Sequence, residues 1–148
     1  MVMIAKFRGP HFFLSTFFIS PFQWAGQMWP SAEHAYQAMK TEDPRWQERI
    51  RTAKTSQEAK KLGRMAPQCM WEHEKCLDMY TILKAKFAPG SLLAEKLQAT
   101  GTQKLVEGNW WGETFWGQCP VGYGENWLGK LLMKVREDLN GQGMNRTE

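Results

Sequence analysis

The stretch Trp29-Pro30-Ser31-Ala32-Glu33-His34-Ala35-Tyr36-Gln37-Ala38-Met39-Lys40 decides the fold. Ser31 has the chemistry of an N-cap, because its hydroxyl can accept from an N–H left over in the first helical turn. Ala32, Ala35, Tyr36 and Met39 then recur at helical spacing and form one apolar stripe. Opposite them, Glu33, Gln37 and Lys40 fall at i, i+4 and i+7, within about 60° of one another at 3.6 residues per turn. Spacing alone fits a solvent-facing stripe as well as a site. The neighbourhood of Trp24, Trp29 and His34 adds weight to a site. An acid and an amine beside aromatic surfaces suit a flat ring joined to a charged sugar.

Working outward, helical punctuation recurs. Asp43-Pro44 caps and opens a second helix, with Trp46, Ile50 and Ala53 on its apolar face. Thr55 to Glu58 is a capping box for a third helix ending near Gly63. Pro67 is read as opening the longest helix, carried by Cys76, Tyr80, Leu83 and Phe87 and stopped by Pro89-Gly90. Ser91 restarts a helix that closes at Gly101. The last helix follows Asn126, with Leu128, Leu131, Leu132, Val135 and Leu139 as its buried stripe. Lys104 to Glu107 reads as the one strand, and the first thirty residues as short extended pieces and turns. The expected fold class is all-α: a multihelical single domain over residues 1–139 with a few short β segments. Residues 140–148 are expected to form a polar, disordered tail.

The 148 residues fit one compact domain able to bury roughly 70% of the surface its unfolded chain exposes. With 43% hydrophobic and 23% charged residues, the composition excludes disorder over most of the length. No run of about 18 apolar residues exists, so no membrane association is expected. The start, Met1 to Arg8, lacks the pattern of a signal peptide. Three cysteines without a C-x-x-C pair read as reduced thiols, and the expected compartment is cytoplasmic. Charge is uneven. Arg45, Arg49, Arg51, Lys54, Lys60, Lys61 and Arg64 face only Glu48 and Glu58 within residues 45–64. A block this modest reads as a solvated helical face, although it can also attract phosphates.

Two tempting motifs fail. Gly124 to Lys130 has phosphate-loop spacing, but Leu131 stands where the magnesium-binding hydroxyl belongs and no hydrophobic strand leads in. Cys69, His73 and Cys76 share a helical spacing, but their stripe continues into Tyr80, Leu83 and Phe87, which favours core packing over a metal. Neither metal nor cofactor is expected. The segment from Glu107 to Asn126 is more informative, since it sets Trp110, Trp111 and Trp116 among glycines with Glu107, Glu113 and Glu125. A loop laying indole faces and carboxylates beside a ligand explains both residue types, and a tryptophan-anchored structural loop is the alternative.

Trp29 to Lys40 resembles the E-H-x-x-Q-A-x-K helix of the NADAR, or YbiA-like, superfamily. The similarity continues through Ile50 to Arg64, Lys84-Ala-Lys86-Phe87, Leu97 to Gly101, Leu105-Val-Glu107, Trp116-Gly117 and Gly124 to Met133 with Arg136. It covers about Phe7 to Leu139. The short length and Glu107-Gly-Asn before the tryptophans resemble the compact, phage-type members. The resemblance implies a YbiA-like multihelical fold and an N-glycosidase acting on ribose-containing nucleotides. Removal of ADP-ribose from ADP-ribosylated guanine in nucleic acid is the expected activity. Hydrolysis of phosphoribosylamino-pyrimidine intermediates of riboflavin synthesis is the alternative enzymatic one. Glu33 matches the family's acidic catalytic position and Lys40 its helix lysine. Trp116 matches the tryptophan of a D-x-aromatic-W-G motif whose Asp is replaced here by Glu113.

The expected catalytic residues are therefore Glu33, Lys40 and Glu113. The expected substrate-binding residues are Trp29, His34, Gln37, Glu107, Trp110, Trp111, Trp116 and Asn126. A carboxylate can stabilise the oxocarbenium charge at ribose C1 or activate water, and a lysine of lowered pKa can form a Schiff base with the opened sugar. Glu33 beside Lys40 suits either route. Two further readings stay open at this point: an ADP-ribose-binding module that does not cleave, and a general single-strand nucleic-acid binder using stacking and basic charge.

Overall fold

The computed structural model describes residues 2–69, 74–109, 111, 113–119 and 121–146, with side chains to residue 141. In chain order the elements are β1 (Met3–Ile4), a 3-10 helix (Gly9–Leu14), β2 (Phe22–Trp24), β3 (Gln27–Trp29), α1 (Ala32–Ala38), α2 (Pro44–Arg51), α3 (Ser56–Met65), α4 (Lys75–Lys86), α5 (Leu92–Ala99), β4 (Lys104–Leu105) and α6 (Trp127–Arg146). They divide into two units, one spanning Thr16–Lys86 and the other joining Met1–Ser15 to Phe87–Glu148.

In the Thr16–Lys86 unit, β2 and β3 pair antiparallel, with Trp24 opposite Gln27. Ala25 and Gly26 both have positive φ (52° and 78°), the conformation that lets a two-residue turn follow strand twist. Ser31 then caps α1 as its sequence suggests, accepting from His34 N at 3.2 Å. Asp43 accepts from Arg45 N at 2.9 Å, and Pro44 opens α2. Thr55 accepts from Glu58 N at 3.0 Å, while Glu58 reaches past the cap to Lys54 N. The helix these bonds start, α3, runs two residues beyond Gly63. Every residue of α1 from Ala32 to Ala38 is buried, because α2, α3, α4 and β3 all pack on it. Its polar stripe is therefore no solvent-facing surface.

Two sequence expectations fail in this unit. Pro67 does not open a helix among the described residues, since 67–69 are irregular and α4 begins at Lys75. The irregular path is held by Cys69 N, which donates to Lys40 O at 2.8 Å. Cys69 and Cys76 thus do not share one helix face, and His73 lies outside the described residues. The buried stripe of α4 is Met79, Ile82, Leu83 and Lys86, leaving Cys76 and Tyr80 half-buried.

The other unit pairs β1 with β4 in parallel and packs α6 on α5 and on β4. Leu128, Leu132, Val135 and Leu139 are buried along α6 as expected, with Leu131 half-buried. This helix, of 20 residues, is longer than α4 and continues through Arg146, past Leu139, the expected end of the domain. The fold is predominantly helical. All-α is only an approximate class, because two two-stranded sheets are present among the described residues. No described helix is long and apolar enough to cross a membrane.

Candidate active site

The second residue of α1 is an acid held inside the protein. Glu33 is 6% exposed, and its backbone N–H donates to Thr16 O at 2.9 Å. Gln37 Nε2 donates to Glu33 Oε2 at 3.1 Å, and Thr16 Oγ1 donates to Oε1 at 3.4 Å. Burial is the largest influence on this carboxyl and lifts its pKa above the ordinary value. The Gln37 bond, the charges of Lys60 and Lys40, and the Thr16 bond partly oppose it. A carboxyl so placed holds its proton more readily than a free one, which suits it to donate that proton to a reacting group.

Lys40 follows just after the helix end, its N–H closing a turn onto Gln37 O at 3.1 Å. It therefore sits in the turn beyond α1 rather than on the helix itself. The half-buried ammonium stands 5.4 Å from the centre of the Tyr36 ring. Burial chiefly lowers its pKa; Glu33 opposes that, and the charges of Lys60, Arg64 and Lys75 reinforce it. Gln37, 2% exposed, lies between acid and amine and packs against Gly63 of α3.

Two residues expected to touch substrate here are committed elsewhere. His34 is fully buried, with Nδ1 2.7 Å from Ser31 Oγ and Nε2 3.0 Å from Ala53 O. The carbonyl can only accept, so Nε2 carries the proton and Nδ1 accepts from Ser31. Nδ1 is engaged by the cap of α1 itself and Nε2 ties the helix to the segment after α2, and burial lowers the ring's pKa, which favours the neutral form. Trp29 is also core. Its Nε1 donates to Trp24 O at 2.8 Å, and its ring meets that of Trp24 edge-on at 6.0 Å.

The expected residues of the second stretch belong to the other unit. Glu113 Oε2 accepts from Trp116 N at 2.8 Å and from Gly117 N at 2.9 Å. That oxygen closes a backbone loop, a structural task beside the catalytic one expected of Glu113. Asn109, which the sequence reading passed over, completes the clamp. Its Oδ1 accepts from Glu113 N at 3.0 Å and its Nδ2 donates to Glu113 O at 2.7 Å. An Asn four residues before a Glu in a glycine-rich loop was the available signal.

Asn126 is likewise a tether. It is buried at φ 52°, with Oδ1 accepting from Glu107 N and Nδ2 donating to Leu105 O, both at 2.9 Å. Glu107 is half-buried and its carbonyl accepts from Gln118 N at 2.9 Å. Trp116 is half-buried, with its ring 4.8 Å from that of Phe115. Trp111 is 50% exposed, and the Arg8 guanidinium stands 5.5 Å from its ring centre. Trp110 lies outside the described residues. The structure thus gathers Glu33, Gln37 and Lys40 in one unit, and Glu107, Glu113, Trp116 and Asn126 in the other. Sequence reading also missed Thr16, for which there was no local signal.

These features define a predominantly helical protein whose central helix buries an acid with a half-buried amine just beyond its end. The chain belongs to the NADAR domain family, whose model matches residues 5–140. It is 37% identical over 128 residues to the N-glycosidase YbiA of Escherichia coli strain K12, covering 84% of this chain and 79% of that protein. It is 38% identical over 134 residues to a riboflavin biosynthesis protein of Vibrio vulnificus strain YJ016. That match covers 87% of this chain but only 36% of the longer relative. The solved structure of E. coli YbiA superposes with a TM-score of 0.87 at 33% identity, covering 97% of this chain and 88% of that one.

Proposed function

We propose that this NADAR-family protein is an N-glycosidase that hydrolyses the bond between ribose C1 and a base nitrogen, with ADP-ribosylated guanine in nucleic acid as its substrate. The carrying observation is the buried Glu33 carboxyl, its pKa lifted, within electrostatic reach of a Lys40 amine whose pKa is lowered. Both shifts favour the uncharged form of the group, acid and amine alike, and those are the forms that C–N cleavage by this pair needs.

In the route these states support best, the sugar ring opens as its oxygen takes a proton and C1 becomes doubly bonded to the base nitrogen. The neutral amine of Lys40 adds to C1, the base nitrogen takes a proton and leaves, and a C1–Nζ imine remains. Water then adds to C1, releasing the sugar aldehyde and restoring the amine. Glu33 supplies and recovers the protons. A Glu33 that only activates water would instead give hydrolysis without an adduct.

Incubation with a guanine-ADP-ribosylated oligonucleotide tests the reading, with release of free ADP-ribose as the expected outcome. The second reading, cleavage of phosphoribosylamino-pyrimidines, draws support from the riboflavin biosynthesis proteins among the relatives, of Vibrio vulnificus and of Zea mays. Release of ribose 5-phosphate alone would select it. Saturable ADP-ribose binding with neither product would overturn the enzymatic reading.

A further inference from the structure

The α3 surface facing α1 carries cations that form no ion pair among the described residues. Gly63 touches Gln37, and Lys60 and Arg64 flank that contact at i, i+3 and i+4, one face of one helix. Gln37 is itself one turn from Glu33, so the contact brings the basic face of α3 to the acid of α1. The link is reinforced through Thr16-Phe17. Thr16 donates to Glu33, and the Lys60 ammonium stands 5.6 Å from the centre of the Phe17 ring. Lys60 acts electrostatically on both Glu33 and Lys40, and Arg64 acts on Lys40.

Among the described residues, neither Lys40, Lys60 nor Arg64 forms an ion pair. By contrast, Arg45 and Arg51 of the same basic block are paired with Asp43 and Glu48. Lys60 is half-buried, like Lys40, and each has an aromatic face as its partner. Ring faces compensate a cation only in part. Lys60 and Lys40, both partly withdrawn from water, act on the one acid Glu33, Arg64 acts on Lys40, and none of the three cations has an ion-pair partner among the described residues. A lysine and an arginine one turn apart offer a point charge and a planar fork, a combination suited to phosphate oxygens.

We infer that Lys60 and Arg64 form a phosphate anchor, holding the phosphate ester on the substrate's ribose beside Lys40 and Glu33. Only the assignment of that ester to a glycosidase substrate rests on the proposed function. The ligand chemistry, a phosphate monoester or the diphosphate of ADP-ribose, rests on the charge cluster. The remaining exposed cations of residues 45–64 need take no part.

Calorimetric titration with ribose 5-phosphate, ADP-ribose and unphosphorylated ribose tests the anchor without requiring turnover. Ribose 5-phosphate, ADP-ribose or both should bind the native protein, whichever binds marking monoester or diphosphate as the ligand, and ribose should not saturate it at the same concentrations. Lys60→Gln and Arg64→Gln should each weaken binding about tenfold, the worth of one charge-assisted contact, and Lys60→Arg should recover most of the loss. Failure of both phosphorylated probes to bind, or unaltered affinity in both Gln variants, overturns the anchor whether or not the protein is a glycosidase.

Where turnover is measurable, Lys60→Gln should raise KM more than it lowers kcat. It should also shrink the preference for phosphorylated over dephosphorylated substrate about tenfold. Equal losses on the two substrates would mean that Lys60 acts only through the charges of Glu33 and Lys40, and would also overturn the anchor.

Discussion

The side chain of Gln37 rests against the α-carbon of Gly63, in space that any other residue's Cβ would occupy. A Cβ built there overlaps Gln37 Oε1 and falls 2.8 and 2.9 Å from its Cδ and Cβ. This contact sets the distance between α1 and α3, and with it the distance from the acid to the basic face. Gly63→Ala should therefore cost about 1–3 kcal/mol through overpacking. Urea denaturation measures the loss, and Gln37→Ala in the same chain should restore part of it. A Gly63→Ala protein as stable as the native one would show that the helices separate without cost.

Glu33 gives two linked expectations. Glu33→Gln should lower the rate at least about 10²-fold, the worth of a positioned acid or base, while ADP-ribose affinity changes little. The stability effect has the opposite sign. A carboxyl whose folded pKa is raised above its unfolded value favours folding while protonated. Stability is therefore lost as pH rises from the ordinary 4.5 toward the raised pKa. Glu33→Gln should consequently be more stable than the native protein at pH 7, with the difference vanishing below pH about 4. Denaturation midpoints at the two pH values check this. A variant less stable at pH 7 would contradict the burial penalty.

The two carboxylates should separate by function. Glu113 holds the backbone N–H groups of Trp116 and Gly117, and a glutamine oxygen can still accept both bonds. Glu113→Gln should lower the rate less than about tenfold, far short of the effect of a positioned acid or base. Side-by-side kinetics of the two Gln variants make the comparison. Equal losses would return Glu113 to the reaction.

Asn126 is expected to be the most sensitive tether of its unit. Asn126→Ala removes two buried bonds and leaves a residue with a Cβ at positive φ, whereas Asn126→Gly loses the bonds but not the conformational tolerance. Both should destabilise, and Ala should be worse than Gly by about 1 kcal/mol. Chemical denaturation of both variants measures the gap. A more stable Ala variant would show that φ matters little here.

Helix starts were legible because a cap is local. Ser31, Asp43-Pro44, Thr55 and Ser91 each act on N–H groups two or three residues away. What covers a helix was not legible. The polar stripe of α1 looked like a surface because periodicity describes one element, whereas burial of Glu33 depends on α2, α3, α4 and β3. The Pro67 expectation failed for a similar reason: the bond from Cys69 N to Lys40 O spans distant sequence.

Within the site, residue type alone does not reveal which polar groups the fold itself occupies. His34 and Asn126 are polar residues in motif positions, yet both side-chain polar atoms of each are used inside the protein. Spacing and resemblance single out Glu33 and Lys40, but their opposed pKa shifts required knowledge of burial.

Covalent capture at Lys40 tests the central claim most directly. Borohydride added during turnover of a guanine-ADP-ribosylated oligonucleotide should reduce the C1–Nζ imine to a stable amine. Peptide mass spectrometry should then place the sugar on Lys40, and Lys40→Ala should show neither adduct nor turnover. Turnover without any adduct, together with a Lys40→Ala variant of full activity, would contradict the account.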